Sequence, residues 1–257
     1  MITFVDADWV EKNTDTAGLV LLDPRRSMKY LQGHIKRAIN VPISGAFNKD
    51  MELRAERDLA QWLGDSGLDN SLAPVIYDSY DGQNGSMLAW ILEYLGCPVV
   101  RLMNVFFERW KEEAREVFYR PVISQRKEFE PKSDAKIRAT LQDIKEKTDL
   151  NLIDLRSLEE YTGAVDTEGK PGHIPKAINI PWKHFLADDG KFLASRETME
   201  RLISRSGIQT SDPIVGYCRF GLRAAVGYIA LRELGLKVRL YDGSFAEWAR
   251  SGLPVER

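Results

Sequence analysis

Residues 33–42 read GHIKRAINVP and residues 172–181 read GHIPKAINIP, so one stretch of sequence occurs twice in the chain. Seven of the ten positions are identical between the two copies. The match continues upstream, where residues 21–25 (LLDPR) correspond to residues 152–156 (LIDLR). Similarity over this length indicates that a whole domain has been duplicated.

Short apolar runs alternate with amphipathic stretches in both copies. This alternation is typical of an α/β domain in which buried parallel strands are connected by helices. We therefore predict two tandem domains, each with a central parallel sheet flanked by helices. The predicted strands are Leu19–Leu22, Pro74–Tyr77, Val99–Leu102, Leu150–Ile153, Ile214–Tyr217 and Lys237–Leu240, and the predicted helices are Met87–Leu95 and Arg223–Leu234.

The segment between the copies is charged, contains Pro121 and Pro131, and has little periodicity. These properties predict a linker. We expect an N-terminal domain at residues 1–118, a linker at 119–135 and a C-terminal domain at 136–257. A chain of 257 residues with 44% hydrophobic residues can supply a separate core to each domain.

Composition and termini narrow the range of functions. A net charge of −2 gives no indication of nucleic acid or an anionic membrane as a partner. No apolar run is long enough to cross a bilayer, and the first residues lack the basic start and apolar core of a signal peptide. The two cysteines, Cys97 and Cys218, are therefore expected to be free thiols in the cytoplasm. No cofactor is expected, because no metal cluster or dinucleotide fingerprint appears.

The two copies differ most in the loop that follows the central strand. The first copy has DSYDGQNGS at residues 78–86, whereas the second has CRFGLR at residues 218–223. Ligands of open α/β sheets bind at the carboxyl ends of the strands, and a helix that begins there favours an anion. Nearby arginines also favour the thiolate, which is the nucleophilic form of cysteine. Cys218 is therefore the predicted nucleophile, and the first copy, with Asp78 at that position, is predicted to be catalytically silent.

Residues shared by both copies are more readily explained by structure than by catalysis. His34 and His173 occupy equivalent turns and are expected to hydrogen-bond nearby backbone groups. His184 is expected at the surface, and Cys97 is expected to pack in a core. Residues 163–171 form an insertion that is present only in the second copy. It is either a lid or specificity loop or a neutral surface insertion.

Four motifs resemble the rhodanese family: Asp-x-Arg after a strand, the Gly-His-Ile-Pro segment, the Cys-Arg-x-Gly loop and the closing stretch from Tyr241 to Trp248. The resemblance covers essentially the whole chain in two copies. Two-domain members of this family, the thiosulfate and 3-mercaptopyruvate sulfurtransferases, have an inactive N-terminal and a catalytic C-terminal domain. The resemblance implies a ping-pong reaction, in which the Cys218 thiolate takes sulfur from a small anionic donor and becomes a persulfide. The sulfur then passes to cyanide, a small thiol or a thioredoxin-like acceptor.

The resemblance also implies that basic residues around the loop bind the donor. Arg219 and Arg156 stand at the matching positions, but Arg25 occupies the same place in the silent copy, so a structural role for Arg156 stays open. Arg223 could equally face the site or cap the surface. The predicted substrate-binding set is Arg156, Arg219, Phe220, Gly221, Leu222 and Arg223.

The donor is the least determined part of this interpretation. Thiosulfate-using relatives often have lysine after the Cys-Arg pair, and mercaptopyruvate-using relatives often have Cys-Gly-Ser-Gly. Arg219 follows the first pattern, but Phe220 follows neither. Thiosulfate is the expected donor, with 3-mercaptopyruvate, or a persulfide carrier for a protein acceptor, as alternatives.

Cysteine phosphatases share the fold, but only four residues separate Cys218 from Arg223, a loop that suits one sulfur atom better than a phosphate. We expect a monomer that binds neither nucleic acid nor membrane.

Overall fold

The computed structural model describes residues 1–146 and 151–257, which form two compact units. The first unit comprises residues 1–134 together with 189–192, and the second comprises residues 135–188 and 193–257. The segment expected to be the linker belongs to the first unit as far as Asp134. There it runs without helix or strand and is held by backbone contacts such as the Lys127 N–H to the Gly64 carbonyl at 2.9 Å.

A five-stranded sheet forms the centre of the first unit. Its strands are β1 (Ile2–Val5), β2 (Leu19–Asp23), β3 (Ile39–Asn40), β4 (Ala73–Ile76) and β5 (Val100–Met103). They pair in parallel in the order β1-β5-β4-β2-β3. The helices of this unit are α1 (Ala7–Asn13), α2 (Ser27–Leu31), α3 (Glu56–Asp65), α4 (Gln83–Tyr94) and α5 (Phe107–Glu112), with a 3₁₀ turn at Ile43–Ala46.

The second unit repeats this architecture. Its strands are β6 (Arg138–Ala139), β7 (Asn151–Asp154), β8 (Ile178–Asn179), β9 (Ile214–Tyr217) and β10 (Val238–Tyr241). They pair in parallel in the order β6-β10-β9-β7-β8, which is the same order as in the first unit. Its helices are α6 (Leu141–Glu146), α7 (Leu158–Thr162), α8 (Arg196–Ser206), α9 (Leu222–Glu233) and α10 (Ser244–Arg250), with 3₁₀ turns at Ala135–Ile137 and Trp182–Phe185. The predicted pair of parallel α/β domains is therefore confirmed.

The predicted elements agree with the observed ones to within about one residue at most ends. Ile214–Tyr217 matches β9, and Arg223–Leu234 is displaced from α9 by one residue. Of the strand predicted at Leu150–Ile153, Leu150 lies outside the described residues, and β7 is described from Asn151. Helix α4 begins four residues before the predicted Met87, because its first turn is polar and lacks an apolar period.

Close packing of α9 on the sheet fixes where the loop after β9 lies. A Cβ on Gly227 would lie 2.4 Å from Leu155 Cδ2, so only glycine allows this approach of the helix to the layer beneath it. Strand β9 is the middle strand of its sheet, and the connection to α9 leaves from its carboxyl end. In α/β sheets this edge is where ligands bind.

Of the helices in the two described ranges, none has the length and apolar character needed to cross a membrane.

Candidate active site

The loop between β9 and α9 curls around the sulfur of Cys218. Cys218 follows β9 directly, and only 1% of its surface is exposed. The backbone N–H of Gly221 donates to Cys218 Sγ at 3.2 Å. Gly221 has φ +88°, a conformation that favours glycine, and it is the N-cap of α9. The sulfur therefore lies beside a backbone donor at a helix N-terminus, where a negative charge is stabilised.

The first turn of α10 holds the backbone of the nucleophile. The Cys218 N–H donates to Ser244 Oγ at 3.2 Å, and that hydroxyl donates to the Tyr241 carbonyl at 2.8 Å. The Phe245 N–H donates to the Cys218 carbonyl at 2.9 Å. Ser244 is fully buried with φ +55°, which is uncommon for a residue other than glycine. Such backbone strain persists where the surrounding contacts enforce it.

Arg223 forms a two-pronged ion pair beside the cysteine. Its Nη1 and Nη2 atoms donate to the two carboxylate oxygens of Glu160 at 2.6 and 2.9 Å. Ser157 and Glu160 form a capping box at the start of α7, which fixes this carboxylate. Burial disfavours the charged form of Arg223, but its bonds to Glu160 and its interactions with Cys218 outweigh this effect and raise its pKa above the ordinary value. Arg223 therefore interacts with both Glu160 and Cys218, and its role toward the donor stays a prediction.

Arg219 is held by the insertion. Its Nε donates to Glu168 Oε1 at 2.6 Å, and its Nη2 donates to the Thr167 carbonyl at 2.9 Å. The guanidinium carbon lies 4.6 Å from the centroid of the Phe220 ring, within the range of a cation–π contact. Phe220 and Leu222 are both half-buried in this loop.

Arg156 is buried and fully engaged by groups of its own unit. Only 1% of Arg156 is exposed, and its guanidinium donates to Asp154 and to the Gly172 carbonyl, with Nη2 distances of 2.6 and 2.8 Å. It also stacks 3.8 Å from the centroid of the Phe245 ring.

Arg25 makes the equivalent contacts in the first unit. Its Nη2 lies 2.5 Å from Asp23 and 2.8 Å from the Gly33 carbonyl, and it stacks 4.2 Å from the Phe107 ring. An arrangement that both units share is explained by structure. These shared contacts support a structural role for Arg156 at the strand end, and its donor-binding role stays a prediction that kinetics can test.

In the first unit, a carboxylate takes the place of the thiol. Asp78 follows β4 and is buried, and its Oδ2 and Oδ1 accept the Gly85 and Ser79 N–H groups at 2.7 and 2.8 Å. Burial raises the pKa of Asp78 to about 7, although these two donors favour its charged form. The position equivalent to Glu160 is Lys29, and residues 78–86, the loop equivalent to that of Cys218, contain no arginine. The first unit therefore lacks both the nucleophile and the ion pair of the second.

The histidines shared by the two copies, and Cys97, have the structural surroundings expected of them. His34 lies with its ring nitrogens 3.0 Å from the Ile35 and Arg120 carbonyls, and His173 Nδ1 lies 2.9 Å from the Tyr161 carbonyl. His184 is exposed. Cys97 is buried, and burial raises its thiol pKa to about 11. A thiol with this pKa is almost wholly protonated at neutral pH and is a poor nucleophile.

Three residues at the site were not singled out by the sequence: Glu160, Glu168 and Ser244. Comparison of the two copies contains a signal for two of them, because Lys29 stands opposite Glu160 and Phe106 stands opposite Ser244. Glu168 has no counterpart, since it belongs to the insertion. Its pairing with Arg219, 51 positions away, becomes visible only in the folded chain.

Fold and site together define a protein of two α/β units, of which the second carries a cysteine cradled at a helix N-terminus. The model of the rhodanese-like domain matches residues 6–113 and 138–251. The chain therefore belongs to the rhodanese-like domain family.

Several relatives match along almost the whole chain. A protein of Saccharopolyspora erythraea named "Putative thiosulfate sulfurtransferase" is 28% identical over 98% of this chain and 95% of its own length. A Mycobacterium bovis protein named "Putative thiosulfate sulfurtransferase SseA" is 31% identical over 96% of this chain and 88% of its own length.

Solved structures show the same fold at lower identity. SseA from Escherichia coli, described among the 3-mercaptopyruvate sulfotransferases, superposes with a TM-score of 0.87 at 23% identity and covers 95% of this chain and 99% of that chain. A persulfide form of EanB with ergothioneine gives a TM-score of 0.89 at 22% identity and covers 98% of this chain and 70% of that chain.

Proposed function

We propose that this protein is a thiosulfate sulfurtransferase in which Cys218 carries the transferred sulfur as a persulfide. The observation that carries the proposal is the position of Cys218 Sγ at the start of α9, with the Gly221 N–H at 3.2 Å. The names of the relatives that match almost the whole chain support the same reaction class. The first unit, with Asp78 at the equivalent position, takes no part in the chemistry.

The reaction has two half-reactions that share one enzyme intermediate. In the first, the Cys218 thiolate attacks the outer sulfur of thiosulfate, a new S–S bond forms, and the bond to the inner sulfur breaks to release sulfite. In the second, cyanide or a thiolate attacks the terminal sulfur of the persulfide, which releases thiocyanate or a new persulfide and restores the Cys218 thiolate. Neither half-reaction needs an external oxidant or reductant.

The residues of the loop stabilise the charges in these steps. The Gly221 N–H and the N-terminus of α9 favour negative charge on the sulfur of Cys218. Arg223 interacts with Cys218 and is held in place by both oxygens of Glu160. A pre-aligned cation next to the sulfur offsets the repulsion between a thiolate and an anionic donor.

A second donor, 3-mercaptopyruvate, is favoured by a specific observation. Arg219 and Arg223 are each paired with a carboxylate, Glu168 and Glu160, and Phe220 adds no charge. The loop therefore offers less net positive charge to a dianion than its two arginines suggest. With this donor the thiolate attacks the thiol sulfur, an S–S bond forms, and the C–S bond breaks to release pyruvate enolate, which takes up a proton.

Persulfide formation followed by mass spectrometry tests the proposal. The protein is mixed with either donor, and we expect a mass increase of one sulfur atom that disappears on addition of cyanide. Cys97→Ser should keep this increase and most of the turnover, whereas Cys218→Ser should lose both. Sulfur transfer by the Cys218→Ser variant would overturn the proposal, and the ratio of specificity constants for the two donors would identify the preferred one.

A further inference from the structure

The insertion at residues 163–171 is fixed at several points within the second unit. Asp166 Oδ1 accepts the backbone N–H groups of Glu168 and Lys170, both at 3.0 Å. Lys170 Nζ donates to the Leu253 carbonyl at 2.7 Å, and the Val165 N–H donates to the Glu159 carbonyl at 3.0 Å. These bonds define the position of the Glu168 backbone, and with it the region that its side chain can reach.

Glu168 contacts the edge of the Arg219 guanidinium that is best suited to bind an anion. An arginine binds an oxyanion most strongly through two parallel N–H groups, and the edge made by Nε and Nη2 is one such fork. Here Nε donates to Glu168 and Nη2 donates to the Thr167 carbonyl. The Glu168 side chain is only 12% exposed whereas that of Arg219 is 38% exposed, so the carboxylate is the more deeply buried partner.

This pairing changes what the loop can attract. The negative charge of Glu168 cancels the charge of Arg219, and a donor that requires this guanidinium has to compete with a carboxylate already in contact. Coulomb energy scales with the product of the charges, so a dianion loses twice as much attraction as a singly charged anion. The first unit has neither the insertion nor a cysteine at the position equivalent to Cys218, so the pairing occurs only where sulfur chemistry is proposed.

We propose that Glu168 is a specificity-determining residue that lowers the use of dianionic donors relative to singly charged donors by neutralising Arg219. It acts through Arg219 and is a positioning residue rather than a catalytic one. This inference rests on the proposed transfer of sulfur from an anionic donor to Cys218.

Glu168→Gln is the test variant, and Glu200→Gln is its matched control. Glu200 pairs with Arg196 at 2.8 Å, so the control also removes one negative charge and one arginine partner. Arg196 contacts the Glu233 carbonyl at the far end of α9 from the loop. The 12 residues of this helix span about 18 Å, whereas Glu168 Oε1 lies 2.6 Å from Arg219 Nε.

Specificity constants are measured for thiosulfate and for 3-mercaptopyruvate, with dithiothreitol as an uncharged acceptor. In Glu168→Gln we expect the value for thiosulfate to rise on the order of five-fold and that for 3-mercaptopyruvate about two-fold at low ionic strength. The gain should appear in KM rather than kcat and should shrink as salt is added. The dithiothreitol half-reaction and the melting temperature should stay unchanged.

A second measurement does not depend on turnover. In a Cys97→Ser background, we expect sulfate to protect Cys218 from iodoacetamide, and Glu168→Gln should need several-fold less sulfate for half-protection. An unchanged donor ratio with unchanged sulfate protection would overturn the inference, and so would an equal change in Glu200→Gln. Loss of persulfide formation with every donor in the unaltered protein would instead defeat the proposed function, so the two failures are distinguishable.

Discussion

Replacing Arg156 and Arg25 by lysine, one at a time, separates a structural arginine from one that binds the donor. In both units the guanidinium joins an aspartate to a backbone carbonyl, Asp154 and Gly172 in the second and Asp23 and Gly33 in the first. Lysine keeps the charge but lacks the planar fork, so it cannot make the paired aspartate bonds and also reach the carbonyl. Two charge-assisted hydrogen bonds lost at about 1.5 kcal/mol each give a cost of about 3 kcal/mol in unfolding free energy.

Because the two networks match, we expect both variants to lower the stability of their units by similar amounts in urea denaturation. The KM for thiosulfate, measured on folded protein, should stay within about two-fold of the unaltered value in both, a difference of only about 0.4 kcal/mol. The structural assignment of Arg156 fails if Arg156→Lys raises this KM ten-fold or more while Arg25→Lys leaves it unchanged. In that case the guanidinium contacts the donor.

Three further predictions concern the two loops and the ion pair of Glu160 and Arg223. The pKa of Asp78 is raised by burial to about 7 from 3.8, so its folded form retains a proton that the unfolded chain loses, and stability falls as pH rises through this window. Between pH 5 and pH 8, the unfolding free energy of the unaltered protein, measured in urea, should therefore fall by about 2–3 kcal/mol relative to that of Asp78→Asn. Parallel pH profiles for the two proteins would contradict this. The Glu160→Gln/Arg223→Gln double variant should lose about 1–3 kcal/mol less unfolding free energy than the sum of the losses in the two single variants. Additive losses would show that the two side chains are not coupled. Phe220→Lys should improve the specificity constant for thiosulfate several-fold at low salt, and a lower melting temperature without this gain would assign Phe220 to packing.

Much of the fold was predictable because the chain repeats its own pattern. The central strands are short apolar runs between turns, and the Asp-x-Arg and Gly-His-Ile segments mark the same places in both copies. The two-residue strands β3, β6 and β8 were not predicted, and neither was the edge strand β1. A strand of two residues has no measurable periodicity, so it is recognised only by its pairing with a neighbour.

The residues of the cysteine loop were predictable from the sequence, but the residues that pair with them were not. The sequence places Cys218, Arg219 and Arg223 in one loop, because these residues are neighbours along the chain. It does not show that Glu168 and Glu160 pair with the two arginines, because these pairs join residues 51 and 63 positions apart. The sequence gives the number of charged side chains, whereas the fold determines which of them form ion pairs.

The buried side chain of Asp78 has a consequence for the stability of the two units. In the first unit, the N–H groups of Ser79 and Gly85 are occupied by the Asp78 side chain, which is covalently attached. In the proposed reaction, the loop of the second unit accepts a sulfur atom and releases it again in every cycle. Anything that binds only the folded state stabilises it. The donor groups of the first loop are therefore always occupied by Asp78, whereas the stability of the second unit is expected to change when its cysteine carries the transferred sulfur.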